Sequence, residues 1–258
     1  MSQIVPKMSL LSKMFGKSPA PTNYGETGFL LVDMHSHLLP GIDDGVKDFA
    51  ESLEIIRNLY KMGYRKLITT PHIMSDFYRN TPEIIRPLCE ELRHELKKNN
   101  IDMVVECAAE YYLDDYFEEE LKKKNLMCFG DKYVLVETSY LNSANNFFEL
   151  IFDIKMGGYQ PILAHPERYV YLFDDFEKYK DIFARDILFA LNLASLVGYY
   201  SKEGKKIAER LIKEKMVHFV GTDVHHVKHL PHLYNAIKTP AYKQMDSLKL
   251  KNNSLLEG

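Results

Sequence analysis

The chain has 258 residues, of which 46% are hydrophobic and 27% are charged, a composition typical of a globular protein with a sizeable core. Its net charge of −3 argues against a nucleic-acid-binding protein, and no apolar run approaches the roughly 18 residues that span a bilayer. The three cysteines form no C-x-x-C pair and none has an arginine six positions later, so we expect a cytoplasmic protein without a disulfide framework, a thiolate zinc site or a cysteine-dependent phosphatase loop.

The first 28 residues differ in pattern from the rest of the chain. Apolar residues at positions 8, 11, 14 and 15 alternate with lysines at 7, 13 and 17, and a Ser-Pro-Ala-Pro stretch follows at 18–21. We expect a terminal extension without regular structure over residues 1–28. The alternative is a basic amphipathic segment that makes peripheral membrane contact through residues 7–17.

From Phe29 onward, short apolar runs alternate with longer amphipathic segments. The predicted strands are Phe29–Met34, Lys66–Thr70, Met103–Ala108, Tyr133–Val136, Pro161–Ala164, Ile187–Leu193 and Val217–Gly221. The predicted helices are Lys47–Met62, Pro82–Asn99, Asp114–Lys123, Ala144–Met156, Asp175–Arg185 and Lys202–Lys215. This alternation predicts a parallel sheet, and without a Gly-x-Gly-x-x-Gly motif it favours a TIM-type barrel over a dinucleotide-binding fold. We expect the tail from about Lys249 to be loosely ordered.

Residues of the types that bind metal ions follow the predicted strands, at the ends where such a barrel places its active site. His35 and His37 follow the first strand, and their i, i+2 spacing puts both imidazoles on one face. Asp43 and Asp44 lie in the next loop, and Asp33 either orients a ligand histidine or makes its own strand hydrogen bonds. Five further strand ends carry an imidazole or a carboxylate, namely His72, Glu110, Glu137, His165 and the pair Asp223 and His225.

A metal centre is the simplest explanation for this convergence. A single His-x-His pair is as consistent with a structural role as with a ligand role, but six of seven strand ends are not. Burying so many ionisable groups together without cations would be very costly. The ligand atoms are nitrogen and oxygen with no thiolate, which suits manganese, iron or zinc better than a structural zinc site.

The remaining histidines are interpreted separately. His94 lies in a helix among charges and is expected to be exposed, and His218 lies within the last strand and is expected to be packed. His226, His229 and His232 follow that strand. We expect them in a surface loop, with a place on the rim of the site as the alternative.

The motifs, taken together, resemble the PHP (polymerase and histidinol phosphatase) superfamily, and within it the bacterial CpsB/YwqE-like tyrosine phosphatases of capsule and exopolysaccharide loci. They are Asp-Met-His-Ser-His at 33–37, Ile-Asp-Asp-Gly at 42–45, Thr-Pro-His at 70–72, Ala-Glu-Tyr-Tyr at 109–112, Val-Glu at 136–137, Ala-His-Pro-Glu-Arg-Tyr at 164–169 and Asp-Val-His at 223–225. They span about residues 30–240 in family order. The resemblance implies an α/β fold, a distorted (β/α)7 TIM-like barrel, over residues 29–258.

The resemblance also implies three divalent metal ions, with manganese favoured and iron, zinc and magnesium as alternatives. The first ion would be held by His35, His37, Glu110 and Asp223. Glu110 would bridge to a second ion, held also by Glu137 and His165. The ligands of the third ion would be Asp44, His72 and His225.

The implied reaction is hydrolysis of a phosphomonoester by metal-bound hydroxide, without a covalent enzyme intermediate. Arg168 matches an arginine that contacts the phosphate, and either His72 or a metal-bound water would protonate the leaving group. The family's second phosphate-binding arginine has no counterpart in the loop at 227–232, where Lys228 or His229 is the expected substitute. Tyr112 is a candidate for binding an aromatic substrate, with packing at the strand end as the alternative.

The favoured substrate is phosphotyrosine on a protein, in particular on a membrane-bound bacterial tyrosine kinase of polysaccharide synthesis. One alternative is a small-molecule phosphatase of the histidinol phosphatase kind. A PHP-type nuclease and a metal-bound scaffold without turnover are further alternatives. The acidic charge balance argues against the nuclease, and the complete ligand set argues against the scaffold.

Overall fold

The computed structural model describes residues 27–256, which form an α/β fold. Its elements in chain order are β1 (Val32–Asp33), α1 (Phe49–Met62), β2 (Lys66–Thr69), β3 (His72–Ile73), α2 (Pro82–Lys98), β4 (Val104–Cys107), β5 (Glu110–Tyr112), α3 (Asp115–Lys123), β6 (Tyr133–Glu137), α4 (Phe147–Met156), β7 (Gln160–Ala164), α5 (Phe176–Ala184), β8 (Leu188–Asn192), α6 (Lys202–Lys213), β9 (Phe219–Gly221), α7 (Leu230–Ala236) and α8 (Pro240–Met245). The predicted N-terminal extension, with its candidate membrane contact at residues 7–17, lies outside the described residues apart from its last two positions.

The helices begin and end where the local sequence indicates. Helix α1 follows Asp48, whose side chain accepts a hydrogen bond from the N–H of Glu51, and it ends at Gly63 with a φ of 120°. Pro82 occupies the first turn of α2, where its missing N–H leaves no bond unmade. All six predicted helices are present, and α7 and α8 are additional to them.

All strand pairs in the two sheets are parallel, as predicted. One sheet has the order β1-β2-β4 and the other has the order β3-β5-β6-β7-β8-β9. Two strands are each interrupted close to their predicted ends and then continue in the second sheet, β2 across Thr70 and Pro71 into β3 and β4 across Ala108 and Ala109 into β5. The strands thus form a half-barrel, and their carboxyl ends lie together at one edge.

The strand breaks position the first and second strand ends against one another. Pro71 has no N–H, so a regular ladder cannot continue through it. The N–H of Thr70 instead donates to the carbonyl of Ser36 at 2.7 Å. The N–H of His72 donates to the Asp43 carboxylate at 3.1 Å, which brings the first loop onto the second strand.

Apolar residues pack on both faces of the strands. A smaller cluster contains side chains from seven of the strands or their ends and is closed by Phe129 and Leu255. A larger cluster joins the other face of the strands to the helices. Because both faces are covered, the strands read as continuous apolar runs in the sequence.

The prediction of a loosely ordered C-terminal tail is wrong for the described residues up to 256. Residues Asn252–Leu255 form a 3-10 helix, and Asn252 is fully buried. Its side-chain amide donates to the carbonyls of Val32 and Val220, and its carbonyl oxygen accepts from the N–H of Val220. The tail therefore joins the first and last strands through Asn252, a polar residue of a type that is usually found at the surface.

Candidate metal centre

The nine predicted ligand residues all lie at the carboxyl ends of the strands, in one contiguous group. Four overlapping sets each place one nitrogen or oxygen atom per residue within 4.8 Å of one another. These sets are His37, Asp44, His72 and His225; His35, His165 and Asp223; His35, His37 and Glu110; and His72, Glu110 and Glu137. The parallel arrangement brings together residues that are up to 190 positions apart in the chain.

Two histidine nitrogens and two carboxylate oxygens lie close together at the centre of the group. His35 Nε2 lies 3.3 Å from His37 Nε2, 3.1 Å from Glu110 Oε2 and 3.4 Å from Asp223 Oδ1. His37 Nε2 lies 3.4 Å from both carboxylate atoms. Two ligand atoms that are each about 2.0–2.1 Å from a tetrahedral ion lie about 3.3–3.4 Å apart, so each histidine has the spacing of a ligand pair with either carboxylate.

A second group of atoms lies around Glu137 and Glu110 and includes the other oxygen of Glu110. His165 Nε2 lies 2.9 Å from Glu110 Oε1 and 3.7 Å from Glu137 Oε2. His72 Nδ1 lies 3.1 Å from Glu137 Oε1 and 3.2 Å from Glu110 Oε2, yet it makes no hydrogen bond with good geometry. The two oxygens of Glu110 therefore face different histidines, as a bridging carboxylate requires.

The third group lies nearest to solvent. Asp44 Oδ1 is 3.5 Å from His72 Nε2 and 3.5 Å from His225 Nε2, and the Asp44 side chain is half exposed. The His225 ring stacks on the His37 ring, with centroids 3.9 Å apart. His37 thus lies between the central group and this outer group.

Neighbouring groups hold several of these histidines in one orientation. Asp43 Oδ2 lies 2.8 Å from His37 Nδ1, so it fixes the ring with Nε2 facing Glu110 and Asp223. His225 Nδ1 lies 2.9 Å from the carbonyl of Asp223, which leaves Nε2 directed towards Asp44. Such outer partners set which ring nitrogen is free to bind an ion.

The backbone is strained at two of the ligand residues and crowded at a glycine close to a third. His165 and Asp223 have φ values of 33° and 49°, in the left-handed region that residues with a Cβ rarely adopt. A Cβ on Gly221 would lie 2.5 Å from the Cβ of His35, so the last strand can approach the first only through a glycine.

The buried charges compensate one another in the protein alone. Burial raises the pKa of Glu110 and Asp223, but His35 and the other cationic neighbours outweigh burial and hold both pKa values well below the usual range. Burial lowers the pKa of His72, but the neighbouring carboxylates, Glu110 foremost, raise it to about 9. The pKa values of His35 and His37 are raised as well, so cations that bind to these histidines would displace protons.

Arg168 lies between the cluster and two tyrosine rings. Its Nη1 donates to Asp223 Oδ2 at 2.8 Å, and the guanidinium carbon is 4.6 Å from the Tyr140 ring centroid and 3.9 Å from that of Tyr200. The side-chain amide of Asn192 donates to the same oxygen of Asp223 at 2.6 Å. Arg168 is thus held in place on three sides while part of it faces the cavity.

A cavity of about 700 Å³ opens above the cluster, within the size range of ligand sites. The cluster residues Asp44, His72, Glu137, His165, Asp223 and His225 form its floor. Its walls are mainly aromatic and polar and include Met74, Tyr78, Tyr112, Thr138, Ser139, Tyr140, Leu141, Arg168, Tyr199, Tyr200, His226, Lys228 and His229. Tyr112 lines the cavity as predicted, whereas Tyr111 is buried and its hydroxyl accepts from the N–H of Met127.

Other sequence interpretations are confirmed or corrected by position. His94 is exposed, and His218 packs on the Phe183 ring, both as predicted. The expectation of a surface loop is wrong for His226 and His229, which line the cavity, because the chain after β9 turns back over the strand ends. His232 packs against Tyr199, with ring centroids 4.4 Å apart.

Asp33 does not orient a ligand histidine. Its two oxygens accept from the N–H and the hydroxyl of Thr222, at 2.8 and 2.7 Å. Burial raises the pKa of Asp33 to about 6. The structure therefore supports the second interpretation of the sequence, in which Asp33 makes its own hydrogen bonds, here between the first and last strands.

Some features of the site could not be predicted from the sequence. Asp43 was a candidate because of its position in the first loop, but its contact with His37 was not predicted. Tyr78, Tyr140 and Tyr200 reach the cavity from loops, where no strand or helix periodicity indicates the direction of a side chain.

Comparisons with known proteins agree with the geometry. A family model described as capsular polysaccharide synthesis, CpsB/CapC, matches residues 31–253. The tyrosine-protein phosphatase YwqE of Bacillus subtilis is 31% identical over 199 residues, which cover 77% of this chain and 78% of that protein. The tyrosine-protein phosphatase CpsB of Streptococcus agalactiae is 29% identical over 203 residues, covering 76% of this chain and 84% of that protein.

A solved structure is also similar. It comes from work on YwqE from Bacillus subtilis and CpsB from Streptococcus pneumoniae, described there as unique metal-dependent tyrosine phosphatases. It matches with a TM-score of 0.77 and 28% sequence identity and covers 88% of this chain and 94% of that chain. Within residues 27–256, no helix has the length and apolar character needed to cross a membrane.

Proposed function

The chain belongs to the CpsB/CapC family of capsular polysaccharide synthesis, and from this membership we propose that it is a metal-dependent protein-tyrosine phosphatase. The family and the enzyme class predicted from the sequence are thereby confirmed. The observation that carries the proposal is the convergence of nine histidine and carboxylate side chains, six of them on the floor of one cavity and three buried next to these, beside Arg168.

We propose that the two sheets are arcs of one distorted (β/α)7 barrel, within a phosphatase domain that spans residues 29–258. Three observations support a closed arrangement of seven strands. The two interrupted strands each contribute to both sheets. Ser36 and Val224, just after β1 and β9, form a parallel bridge, and the N–H of Asp223 donates to the carbonyl of His35 at 2.8 Å.

The residues of the floor fit a set of three divalent ions, and we propose manganese as the physiological metal. The central group of His35, His37, Glu110 and Asp223 would hold the first ion. Glu110, Glu137 and His165 would hold the second ion, and Asp44, His72 and His225 would hold the third. His72 Nδ1 lies near two carboxylates without a hydrogen bond of good geometry, and the His35 and His37 nitrogens lie 3.3 Å apart; both observations support bound cations in place of protons.

When bound, divalent ions neutralise the charge of a phosphate monoester and lower the pKa of a coordinated water to about 7. The chain's own cations act on the same phosphate. Arg168 is pre-oriented by Asp223 and the two tyrosines, so a phosphate can bind to its planar fork with little loss of side-chain entropy.

Lys228 is the residue that we propose as the second cationic contact, in place of the family's arginine. It lines the cavity and is exposed. His229, the other sequence candidate, is buried, and burial lowers its pKa to about 4. Its Nδ1 accepts from the N–H of His225 at 3.3 Å, so His229 supports the ligand loop and carries no positive charge at neutral pH.

His72 is assigned as a ligand and not as the general acid. Both of its ring nitrogens face carboxylates, Nδ1 towards Glu137 and Nε2 towards Asp44. A tyrosine phenol has a pKa of about 10, so its phenolate leaves with less need for a proton than an alkoxide does. The aromatic walls around the floor, which include Tyr112, are the surface that we propose for the substrate ring.

We further propose a cytoplasmic protein whose substrate is phosphotyrosine on a membrane-bound bacterial tyrosine kinase of polysaccharide synthesis. The test is direct. Purified protein with manganese should hydrolyse p-nitrophenyl phosphate and a phosphotyrosine peptide, and a chelator should abolish both activities. Absence of turnover with manganese, iron, zinc and magnesium alike would refute the proposed function.

A further inference from the structure

Two large apolar side chains face solvent at the rim of the cavity. Phe77 is 74% exposed and Leu141 is 68% exposed. Leu141 lines the cavity itself, and Phe77 is next to Tyr78, which also does. Isolated exposed apolar residues are common on protein surfaces, but two beside one ligand cavity indicate a contact surface.

The turn that carries Phe77 is well anchored. Met74 and Tyr78 exchange backbone hydrogen bonds of 2.9 Å across the turn, and the Tyr78 ring stacks on the His72 ring. The N–H of Ser75 donates to the Asp114 carboxylate at 2.9 Å, which joins the turn to the start of α3. Phe77 is therefore presented to solvent by a fixed backbone.

The exposed residues belong to one continuous edge. Strands β3, β5 and β6 are neighbours in the sheet, so the segments that follow them lie side by side. Tyr112, at the end of β5, lies between the Phe77 turn and the segment with Leu141 and pairs in register with Glu137. We call Phe77, Tyr78, Tyr112 and Leu141 the apolar edge.

The segments after β8 and β9, at the other end of the same sheet, carry a different chemistry. His226 and Lys228 follow β9, and both line the cavity. This side offers an imidazole and a cation, whereas the apolar edge offers aromatic rings and an aliphatic side chain. A ligand that crosses the cavity mouth would meet both.

We propose that the apolar edge binds the polypeptide next to the phosphotyrosine of a protein substrate and selects an apolar residue there; this inference rests on the proposed phosphatase function. A small aryl phosphate fills only the cavity, whereas a protein substrate must pass over the rim. Because an extended chain advances about 3.3 Å per residue, side chains one or two positions from the phosphotyrosine reach the rim. Exposed aromatic and aliphatic groups gain most from apolar partners.

The experiment compares two phosphotyrosine peptides of equal length, with either leucine or serine on both sides of the phosphotyrosine. For wild-type protein with manganese, kcat/KM should be at least about fivefold higher for the leucine peptide, as loss of one apolar contact would produce. The variant Phe77→Ser/Leu141→Ser should lose this preference, and its ratio of kcat/KM on the leucine peptide to that on p-nitrophenyl phosphate should fall.

Phe152→Ser is the matched control, because Phe152 is 62% exposed but lies on α4, outside the cavity lining. It should keep the wild-type preference. Equal turnover of both peptides by wild type, or an undiminished preference in the double variant, would overturn the inference while leaving the phosphatase function intact. Failure of the proposed function would differ, because wild type would then not hydrolyse p-nitrophenyl phosphate either.

Discussion

The floor and the rim of the cavity are built on opposite principles. The floor, with the ligand residues buried next to it, consists mostly of buried ionisable side chains, and His35, His37 and Glu110 are each no more than 1% exposed. The rim places Phe77 and Leu141, two apolar side chains, largely in solvent. The clustered ligand atoms and the exposed apolar side chains each indicate a partner that the protein binds.

The floor and the rim would therefore bind different partners, cations at the floor and an extended substrate at the rim. Imidazole nitrogens and carboxylate oxygens that lie 3.1–3.5 Å apart would bind cations, which act equally on every substrate. An exposed apolar edge contributes only when a substrate extends beyond the cavity. Changes to the floor should therefore affect all turnover, and changes to the rim should affect the choice among substrates.

The largest effect is expected from removing a floor ligand. His35→Ala should lower kcat/KM on a phosphotyrosine peptide by more than about 100-fold, since loss of even an outer partner of a ligand typically costs 10–100-fold. The activity is measured at saturating manganese, with circular dichroism to confirm the fold. His94→Ala, which changes an exposed histidine of α2, is the matched control and should retain full activity. Activity of His35→Ala within tenfold of wild type would show that the floor is not a metal centre.

A smaller effect is expected when a ligand is kept but loses its support. Asp43→Asn weakens the contact with His37 Nδ1, so the apparent affinity for manganese should fall by about 10–100-fold. A titration of activity against manganese concentration measures it. Asp102→Asn, at an exposed position, should leave the titration unchanged. An unaltered manganese titration for Asp43→Asn would remove Asp43 from the support of the site.

Arg168 lies at the boundary between floor and walls, and its replacement should have an intermediate effect. Arg168→Lys keeps the charge but loses the planar fork and the stacking on Tyr140 and Tyr200. At saturating manganese we expect KM to rise about tenfold, the loss of roughly 1.4 kcal/mol of binding. The exposed Arg86→Lys is the control. A KM that does not change would exclude Arg168 from phosphate binding.

The smallest effect is expected at the solvent-exposed wall. Lys228→Met should raise KM about two- to fivefold, because an exposed cation is screened by water and by salt. The increase should shrink at high ionic strength. Lys249→Met, at an exposed position outside the cavity lining, should show neither change. A KM that is insensitive to both the substitution and salt would contradict the proposed contact.

The floor and the helices are the parts of the molecule that the sequence could predict. Eight of the nine ligand candidates follow a strand, and in a parallel arrangement strand ends meet at one edge, so periodicity and residue type sufficed to identify them. Asp44 lies in the first loop, and only the family resemblance distinguished it from Asp43 as a ligand. The six predicted helices are present for the same reason, since their caps and apolar faces are local signals.

The rest depends on contacts between distant segments. Asn252 joins the first and last strands through side-chain hydrogen bonds that no local pattern encodes. His226 and His229 face the cavity because the chain turns back after β9, and Tyr78 does so because a tight turn projects it over His72. Loop direction of this kind is set by tertiary packing and not by periodicity.

The most direct test of the central claim is the positions of bound metals, measured by anomalous diffraction from crystals grown with manganese. We expect three manganese peaks at the cavity floor, one in each proposed ligand group, with Glu110 bridging the first two. A floor without manganese peaks, or manganese bound only at other acidic clusters of the surface, would contradict it.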